Sequence, residues 1–320
     1  MHREKTKTIT SIGGQAVVEG IMMRGPKKTE LAVRMPDGSV SVEEVAAQSL
    51  RDRSGVWRLP FFRGIAGFLD ALSVGYKALS RSAEKAGTED GEDSKFDRWL
   101  EKRFGDKAMN AVAAVGSVFG AVLAVALFFV LPTWVFNLLE AAVGPSLAGW
   151  RSPLEGVMRI LIFLGYLLLC AAMPDMRRVF QYHGAEHKTI FCYENDEELT
   201  VENVRKHQRF HPRCGTSFLV LMLLIGILVG FLIPFTNPFL RTFAKLLCIP
   251  VVVGAGYELI RYCGRNDNTL THVISAPGLW MQRITTKEPD DGMIEVAIAA
   301  MRGVIPENGE DRVGVPGDAK

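Results

Sequence analysis

The sequence lacks an excess of charge of either sign. Its 37 Lys and Arg residues are nearly balanced by 35 Asp and Glu residues, for a formal net charge of +2. Proteins that bind nucleic acid through bulk electrostatics are strongly basic, so we expect no nucleic-acid partner. Charged residues make up only 22% of the 320 residues, whereas hydrophobic residues make up 48%. This composition excludes intrinsic disorder for the middle of the chain.

Paired cysteine motifs and an N-terminal apolar run are also missing. No two of the five cysteines form a C-x-x-C pair, so a disulfide scaffold is not expected and a reducing compartment is favoured. Residues 1–20 are polar and mixed, so we expect no signal peptide. The cysteines are Cys170, Cys192, Cys214, Cys248 and Cys263.

The glycine-rich N-terminal stretch lacks the signature of a nucleotide-binding loop. Residues 13–26, GGQAVVEGIMMRGP, contain neither G-x-G-x-x-G nor the Gly-Lys-Ser/Thr of a P-loop. After this stretch, Glu30–Arg34 and Ser39–Val45 are strand-like and are joined through Pro36-Asp37-Gly38. An Asp-Gly pair between such segments is typical of a hairpin, which predicts a small β-rich unit.

Four apolar segments are candidates for transmembrane helices. Crossing the hydrocarbon layer takes about 20 helical residues. The second and fourth segments contain ionisable residues, so a buried or re-entrant helix is the alternative for these two. The segments are Ala111–Leu139, Gly156–Met173, Cys214–Phe235 and Leu246–Cys263.

We therefore expect a mainly α, multi-pass membrane protein with about four transmembrane helices and a small β-rich N-terminal cytoplasmic unit. The loop between the second and third segments is rich in Lys and Arg, which the positive-inside rule assigns to the cytoplasm together with both termini. The predicted divisions are a hairpin-containing unit at 1–58, an amphipathic helix and acidic linker at 59–107, a transmembrane core at 108–263 with a cytoplasmic loop at 174–213, a cytoplasmic helical segment at 264–304, and a disordered tail at 305–320.

Two amphipathic segments flank this core. Leu59–Ala83 has apolar residues at helical spacing, so it either lies in the membrane interface or packs on other helices. Residues 88–94 read as a solvated linker. Near the C-terminus, a loop followed by an amphipathic helix is expected, with the helix beginning near Met293 and capped by Thr286, Asp290 or Asp291.

The most informative stretch is YHGAEHK at residues 182–188. On a helix, His183, Glu186 and His187 share one face. Two imidazoles one turn apart are a common arrangement for binding a divalent metal. A neighbouring carboxylate can then bind the metal or act as a base. The order H-x-x-E-H is that of inverted zinc-peptidase motifs. Solvated histidines and surface charges are the ordinary alternative.

Further ligands follow before the third apolar segment, where His211 and Cys214 form an H-x-x-C pair. Nitrogen and sulfur ligands suit zinc better than magnesium or calcium. We therefore expect a divalent metal, zinc, with Glu186 as the catalytic base. Four protein ligands would close the site and make it structural, whereas an open position would allow water activation. The expected ligands are His183, His187, His211 and Cys214.

Three other ionisable residues are candidates for a supporting role. Glu258 and Arg261 stand at i, i+3 in the fourth apolar segment, where charges are costly unless paired. They form either a buried ion pair or groups that contact the metal ligands or the substrate, and Glu258 is also a candidate ligand. Lys188 follows His187 and is either a supporting group or a surface charge.

Six sequence blocks resemble the bacterial YqhQ-like membrane proteins, a domain-of-unknown-function family, over about residues 12–302. Members are taken to be multi-pass membrane proteins and are described as predicted metal-dependent enzymes. The resemblance implies the same of this chain, in the bacterial inner (plasma) membrane. By this resemblance, the family's HGAEHK and HPRCG blocks contain the predicted base and ligands His183, Glu186, His187, His211 and Cys214. The six blocks are GGQAVVEGIMMRGP, FFRGIAGFLDAL, YHGAEHKTIFCYE, HPRCGTSFL, GYELIR and PGLWMQRITTKEPDD.

Three functions remain open at this point. The first is a metal-dependent hydrolase whose substrate is a membrane lipid, an isoprenoid-linked precursor or a membrane-proximal peptide. The second is a non-catalytic assembly or scaffold protein with a structural metal site, which binds a partner through its glycine-rich block and hairpin. The third is a small transporter, suggested by Arg159 and Glu258 in apolar segments. Besides the lipid bilayer, the substrate, protein partner and oligomeric state are left open.

Overall fold

The structure is a computed structural model that describes residues 8–45, 50, 54–87, 106–266 and 268–313. It is mainly helical with a small antiparallel sheet, as expected. The chain divides into two compact units that are discontinuous in sequence. Unit 1 comprises Met1–Thr88, Leu167–Met222 and Val253–Lys320, and unit 2 comprises Glu89–Tyr166 and Leu223–Val252. The linker expected at 88–94 lies outside the described residues.

The N-terminal sheet has four strands in sequential antiparallel order. They are β2 (Gly13–Val17), β3 (Gly20–Arg24), β4 (Thr29–Arg34) and β5 (Val40–Glu44). The hairpin predicted around Asp37-Gly38 is confirmed, with Gly38 at φ +86° in the turn. The glycine-rich stretch before it forms a second hairpin, β2–β3, which the sequence did not predict.

The core of unit 1 forms where two helices pack on this sheet. Helix α5 (Pro174–Glu194) contacts β2 and β3, and helix α11 (Asp291–Val304) contacts β3, β4 and α5. The packing removes apolar side chains from water, which stabilises the fold. The buried residues include Ile21, Met23, Ala32, Tyr182, Ala185, Ile190, Met293, Ala297 and Met301.

Helix α1 (Phe62–Lys85) confirms the first amphipathic prediction. Its buried face is built from small residues such as Ala66, Gly75 and Ala78, and β2 packs beside it. A Cβ atom at Gly75 would meet the Gln15 side chain at 2.5 Å, so glycine permits this close approach.

The region predicted as a loop at 174–213 is largely helical. Pro174 stands in the first turn of α5, where a missing N–H costs nothing, and a short helix α6 (Val201–Lys206) follows it. Thr200 caps α6 by accepting a hydrogen bond from the Asn203 amide. Residues 183–188 lie within α5, so the helical arrangement on which the H-x-x-E-H interpretation depends is present.

The C-terminal region contains one helix more than expected. Helix α10 (Thr269–Thr285) occupies part of the stretch predicted as a loop. A capping box at Asn268 stabilises its first turn, and the helix continues through Pro277. Helix α11 begins as predicted, and Asp290 is its cap, accepting a hydrogen bond from the Met293 amide at 2.8 Å. Residues 305–313 differ from the predicted disorder, because strand β6 (Arg312–Val313) pairs with β1 (Ile9–Thr10) and Asp311 is buried. Residues 314–320 lie outside the described residues.

Two helical stretches are long and apolar enough to cross a membrane. Val115–Val143 runs through helix α2 (Asp106–Val125), a π-helical turn and helix α3 (Leu131–Val143). Pro145–Ala172 consists of a 3₁₀ turn and helix α4 (Arg151–Ala172). These correspond to the first and second predicted spans.

The third and fourth predicted spans differ from the first two. Helix α7 (Gly215–Gly230) has 16 residues, about 24 Å of helix, because Gly230 and the following Pro234 end the helix inside the apolar run. Helices α8 (Pro238–Leu247) and α9 (Ile249–Arg265) qualify as one span only when taken together, and they bend by 46° at their junction. The described residues therefore support two or three candidate spans.

Unit 2 contains a buried charge cluster centred on Glu155 of α4. Its carboxylate lies 3.0 Å from Arg241 Nε and 2.5 Å from Lys245 Nζ, both on α8, and 3.3 Å from Arg159 Nη2. All four side chains are almost fully buried. Arg241 also donates to the backbone carbonyls of Gly230, Ile233 and Phe235, which fixes the chain after α7.

Candidate functional site

Three predicted ligands converge in unit 1. Helix α5 presents His183 and His187 one turn apart, with ring centroids 4.4 Å from each other, and Cys214 stands immediately before α7. His183 Nε2 is 3.1 Å from Cys214 Sγ. One potential ligand atom from each of the three residues lies within 4.8 Å of the other two.

Backbone carbonyls orient both imidazoles. His183 Nδ1 is 2.8 Å from the Thr285 carbonyl oxygen, and His187 Nδ1 is 2.5 Å from the Arg209 carbonyl oxygen. Each Nδ1–H therefore donates to a carbonyl, which leaves Nε2 as the atom for a ligand. The Nε2 atom of His187 is buried and has no hydrogen-bond partner among the described residues. Histidines that bind metals characteristically have their second nitrogen held in this way.

The charges of His183 and Cys214 stabilise each other. Burial raises the pKa of the Cys214 thiol, but His183 and His187 together lower it by a larger amount. The pKa of the thiol is therefore well below its ordinary value. Burial lowers the pKa of His183, but Cys214 and then Glu186 raise it to about 9. The site thus favours the thiolate, which is the form of cysteine that binds metals and attacks electrophiles.

Glu186 lies beside this group on the same face of α5. Its side chain is 5% exposed, and burial raises its pKa despite the opposing effect of His183 and His187. The Gly14 backbone amide faces the carboxylate, and a Cβ atom at Gly14 would lie 2.8 Å from Glu186 Cδ. The Oε2 atom is buried, with no hydrogen-bond partner in the described part of the chain. The glycine-rich hairpin β2–β3 therefore packs against the Glu186 carboxylate.

His211 lies near the three ligands but does not belong to their group. Its ring centroid is 5.5 Å from that of His187, and its Nδ1 accepts a hydrogen bond from the Arg213 amide. Its Nε2 lies 3.7 Å from Glu194 Oε2 and is buried without a hydrogen-bond partner among the described residues. Burial lowers the pKa of His211 to about 4. The buried Glu194, which also accepts from Arg213 and from the Thr10 amide, was missed in the sequence. Among the described residues, three of the four expected ligands therefore form the close group, and His211 lies outside it.

The three expected supporting residues lie elsewhere. Lys188 is buried, but its Nζ donates to the Arg205 carbonyl and pairs with Glu288. Glu258 accepts two hydrogen bonds from Arg63, at 2.7 and 2.5 Å, and one from the Phe61 amide, so it forms an ion pair. Arg261 is half-buried on α9. None of these three side chains lines the cavity described next.

A cavity of about 790 Å³ within unit 1 opens onto the group. His183, His187, Cys214 and Glu186 line one part of it, and the glycine-rich hairpin lines another. A smaller cavity of about 390 Å³, also lined by Cys214, adjoins it. Arg24, at the end of β3, lines both cavities, although no role for it was predicted from the sequence. The sequence feature that could have indicated a role for Arg24 is its position in the MMRGP stretch.

The donor set fits a divalent metal ion. Two imidazole nitrogens and one thiolate are typical zinc ligands, and the orphaned His187 Nε2 is an atom that such an ion would satisfy. A second group, Cys192, Glu197 and His207, also lies close together. In this second group, His207 Nε2 lies 3.3 Å from Glu197 Oε2, and the Cys192 thiol donates to the Glu197 and Glu198 carbonyls at 3.9 and 3.6 Å.

Comparison with known proteins supports the sequence resemblance. A family model described as "Protein of unknown function (DUF1385)" matches residues 59–307. The chain belongs to this family. It is 34% identical over 302 residues to "Uncharacterized protein YqhQ" of Bacillus subtilis (strain 168), and the match covers 94% of each chain. No solved structure matches. Because neither description names a reaction or a cofactor, any statement about function depends on the geometry of the site.

Proposed function

We propose that this membrane protein is a metal-dependent hydrolase that binds one zinc ion through His183, His187 and Cys214. The substrate would be lipid-linked or membrane-proximal, and Glu186 would be the general base. The observation that carries the proposal is the shared orientation of the two histidines. Each uses Nδ1 on a backbone carbonyl, and their Nε2 atoms remain for the position beside Cys214 Sγ.

A bound zinc ion would supply Lewis-acid polarisation of a water molecule or of a substrate oxygen. The chain's own residues provide the remaining functions. The Thr285 and Arg209 carbonyls hold the imidazoles in one tautomer, and the Gly14 amide holds the Glu186 carboxylate. The buried Oε2 atom of Glu186 is available to accept a proton. Its raised pKa brings the group closer to the range in which a base works at neutral pH.

An open site favours catalysis over a purely structural role. Structural zinc sites have four protein ligands, whereas catalytic sites keep a position for water or substrate. Here the group has three protein members, and it borders a large cavity. The transport hypothesis has less support, since Arg159 pairs with Glu155 and Glu258 pairs with Arg63.

A second chemistry is favoured by the 3.1 Å distance between His183 Nε2 and Cys214 Sγ. A thiolate beside an imidazolium is the arrangement of a cysteine nucleophile. In that case Cys214 would attack the substrate directly and no metal would be required. Metal content distinguishes the two mechanisms.

The distribution of Lys and Arg along the chain supports a cytoplasmic location for the site. The segment that carries the ligands is rich in Lys and Arg, which favours the cytoplasmic side of a plasma membrane. We therefore propose that the site and both termini face the cytoplasm, where thiols remain reduced.

The metal content of the purified full chain tests the proposal. We expect one zinc ion per chain in the wild type and loss of that ion in His187→Ala, because three protein ligands are the minimum for a tight site. His207→Ala is the matched control, since it removes a buried histidine from the other ligand group and should retain zinc. Zinc loss in the control but not in His187→Ala, with both variants folded, would contradict the proposal.

A further inference from the structure

Arg24 is an unpaired cation beside the candidate metal centre. It is half-buried at the end of β3, and its side chain lines both the 790 Å³ cavity and the 390 Å³ cavity. Among the residues that the structure describes, its guanidinium has no hydrogen-bond or ion-pair partner. The other arginine in both cavities, Arg213, pairs with Glu194. Arg24 is therefore the cation of this cavity that is available to a ligand.

A guanidinium that is half removed from water loses hydration and gains nothing in return unless a partner is present. Its planar array of donors matches phosphate and carboxylate oxygens in pairs. Two acidic residues also line these cavities, and neither forms an ion pair with Arg24 within the described part of the chain. Asp70 accepts a hydrogen bond from the Leu50 amide at 3.0 Å, and Glu186 lies against the Gly14 amide.

The rest of the cavity wall is mainly apolar. Phe68 lines both cavities and lies 6.4 Å from Phe218, measured between ring centroids. Val179, Phe180 and Leu219 line the larger cavity. Such a wall binds hydrocarbon, whereas a small hydrophilic anion would leave most of it in contact with water. The cavity thus combines one unpaired cation with an extended apolar surface.

We propose that Arg24 binds the phosphate group of an amphiphilic substrate whose hydrocarbon chain lies against the wall around Phe68. The inference deepens the proposed function by naming the substrate class of the same site. Cys214 borders both cavities together with Arg24, so a phosphate bound by this arginine lies in the same space as the candidate centre. Arg24 is a binding residue in this proposal and takes no part in metal ligation.

Binding of dodecyl phosphate to the purified full chain tests this directly. Isothermal titration in a neutral maltoside detergent would compare the wild type with Arg24→Gln and Arg24→Lys. Loss of a charge-assisted hydrogen-bonded pair predicts an increase in Kd of about 10- to 100-fold for Arg24→Gln. Arg24→Lys keeps the charge without the paired donors and should give a smaller increase. Arg177→Gln is the matched control, because Arg177 is an exposed arginine of the same unit outside both cavities.

Two further arms test the amphiphile. Inorganic phosphate should bind more weakly than dodecyl phosphate, and Phe68→Ala should weaken dodecyl phosphate binding while leaving inorganic phosphate unchanged. Equal affinity for the two probes would mean that the site takes free phosphate, and it would overturn the proposed substrate class. Unchanged dodecyl phosphate binding in a folded Arg24→Gln variant would overturn the role of Arg24.

The same preparations separate this inference from the proposed function. The titrations are run on zinc-loaded and on chelator-treated protein, with zinc measured in each. Phosphate binding that depends on Arg24 in a protein that takes up no zinc would remove the metal proposal and leave this inference standing. Stoichiometric zinc together with dodecyl phosphate binding that ignores Arg24 would do the reverse.

Discussion

Replacing Glu155 with alanine is expected to lower the free energy of unfolding of unit 2 by about 3–5 kcal/mol. This carboxylate is the partner of Arg159, Arg241 and Lys245, all of which are almost fully buried. Without it, three cations would remain enclosed in a part of the chain that is otherwise apolar. The measurement is the unfolding of the purified protein in detergent, followed by its helical signal.

A double variant provides the control for this prediction. Adding Lys245→Met to Glu155→Ala removes one of the stranded cations while keeping an apolar side chain of similar length, and it should recover part of the lost stability. A Glu155→Ala protein that unfolds like the wild type would mean that the cluster contributes nothing to the fold.

Replacing Glu186 with glutamine is expected to reduce hydrolysis by about 10²- to 10⁴-fold, the usual contribution of a general base. Glutamine has the same shape and can still accept from the Gly14 amide, so the fold and the zinc content should be retained. The assay would use a chromogenic panel, bis(p-nitrophenyl) phosphate and a p-nitrophenyl ester of a long-chain acid, with zinc measured on the same samples.

The variant Cys214→Ser distinguishes the two mechanisms behind that rate. If Cys214 is a ligand, the serine variant loses zinc and activity together, and added zinc restores part of the activity. If Cys214 is the nucleophile, the wild type hydrolyses the panel without zinc. A folded Glu186→Gln protein that hydrolyses the panel at the wild-type rate would contradict the role given to Glu186.

The local part of the site could be predicted from the sequence. The spacing of His183, Glu186 and His187 determines that they share one face of a helix, whatever packs around it. The Asp37-Gly38 turn and the cap at Asp290 are likewise local, because the deciding hydrogen bonds join residues that are near in sequence.

The features that were missed depend on contacts between distant parts of the chain. Gly14 meets Glu186 only because β2 packs on α5, and the Thr285 carbonyl reaches His183 from a helix nearly 100 residues later. Spacing alone placed His211 among the ligand candidates and gave no sign of the buried Glu194 beside it, which stands at the end of α5. Hydropathy alone also overestimated the length of the third span, because it counts Gly230 and Pro234 as part of one apolar run although the helix ends at Gly230.

Zinc X-ray absorption on the reconstituted full chain tests the identity of the metal ligands. Ligation by His183, His187 and Cys214 predicts one sulfur neighbour at about 2.3 Å and nitrogen or oxygen neighbours at about 2.0–2.1 Å. It also predicts that Cys214→Ser removes the sulfur signal while His211→Ala leaves the sulfur signal and the imidazole scattering of two histidines in place. A zinc environment without sulfur, or one that loses a histidine in His211→Ala, would contradict the assignment of His183, His187 and Cys214 as the metal ligands.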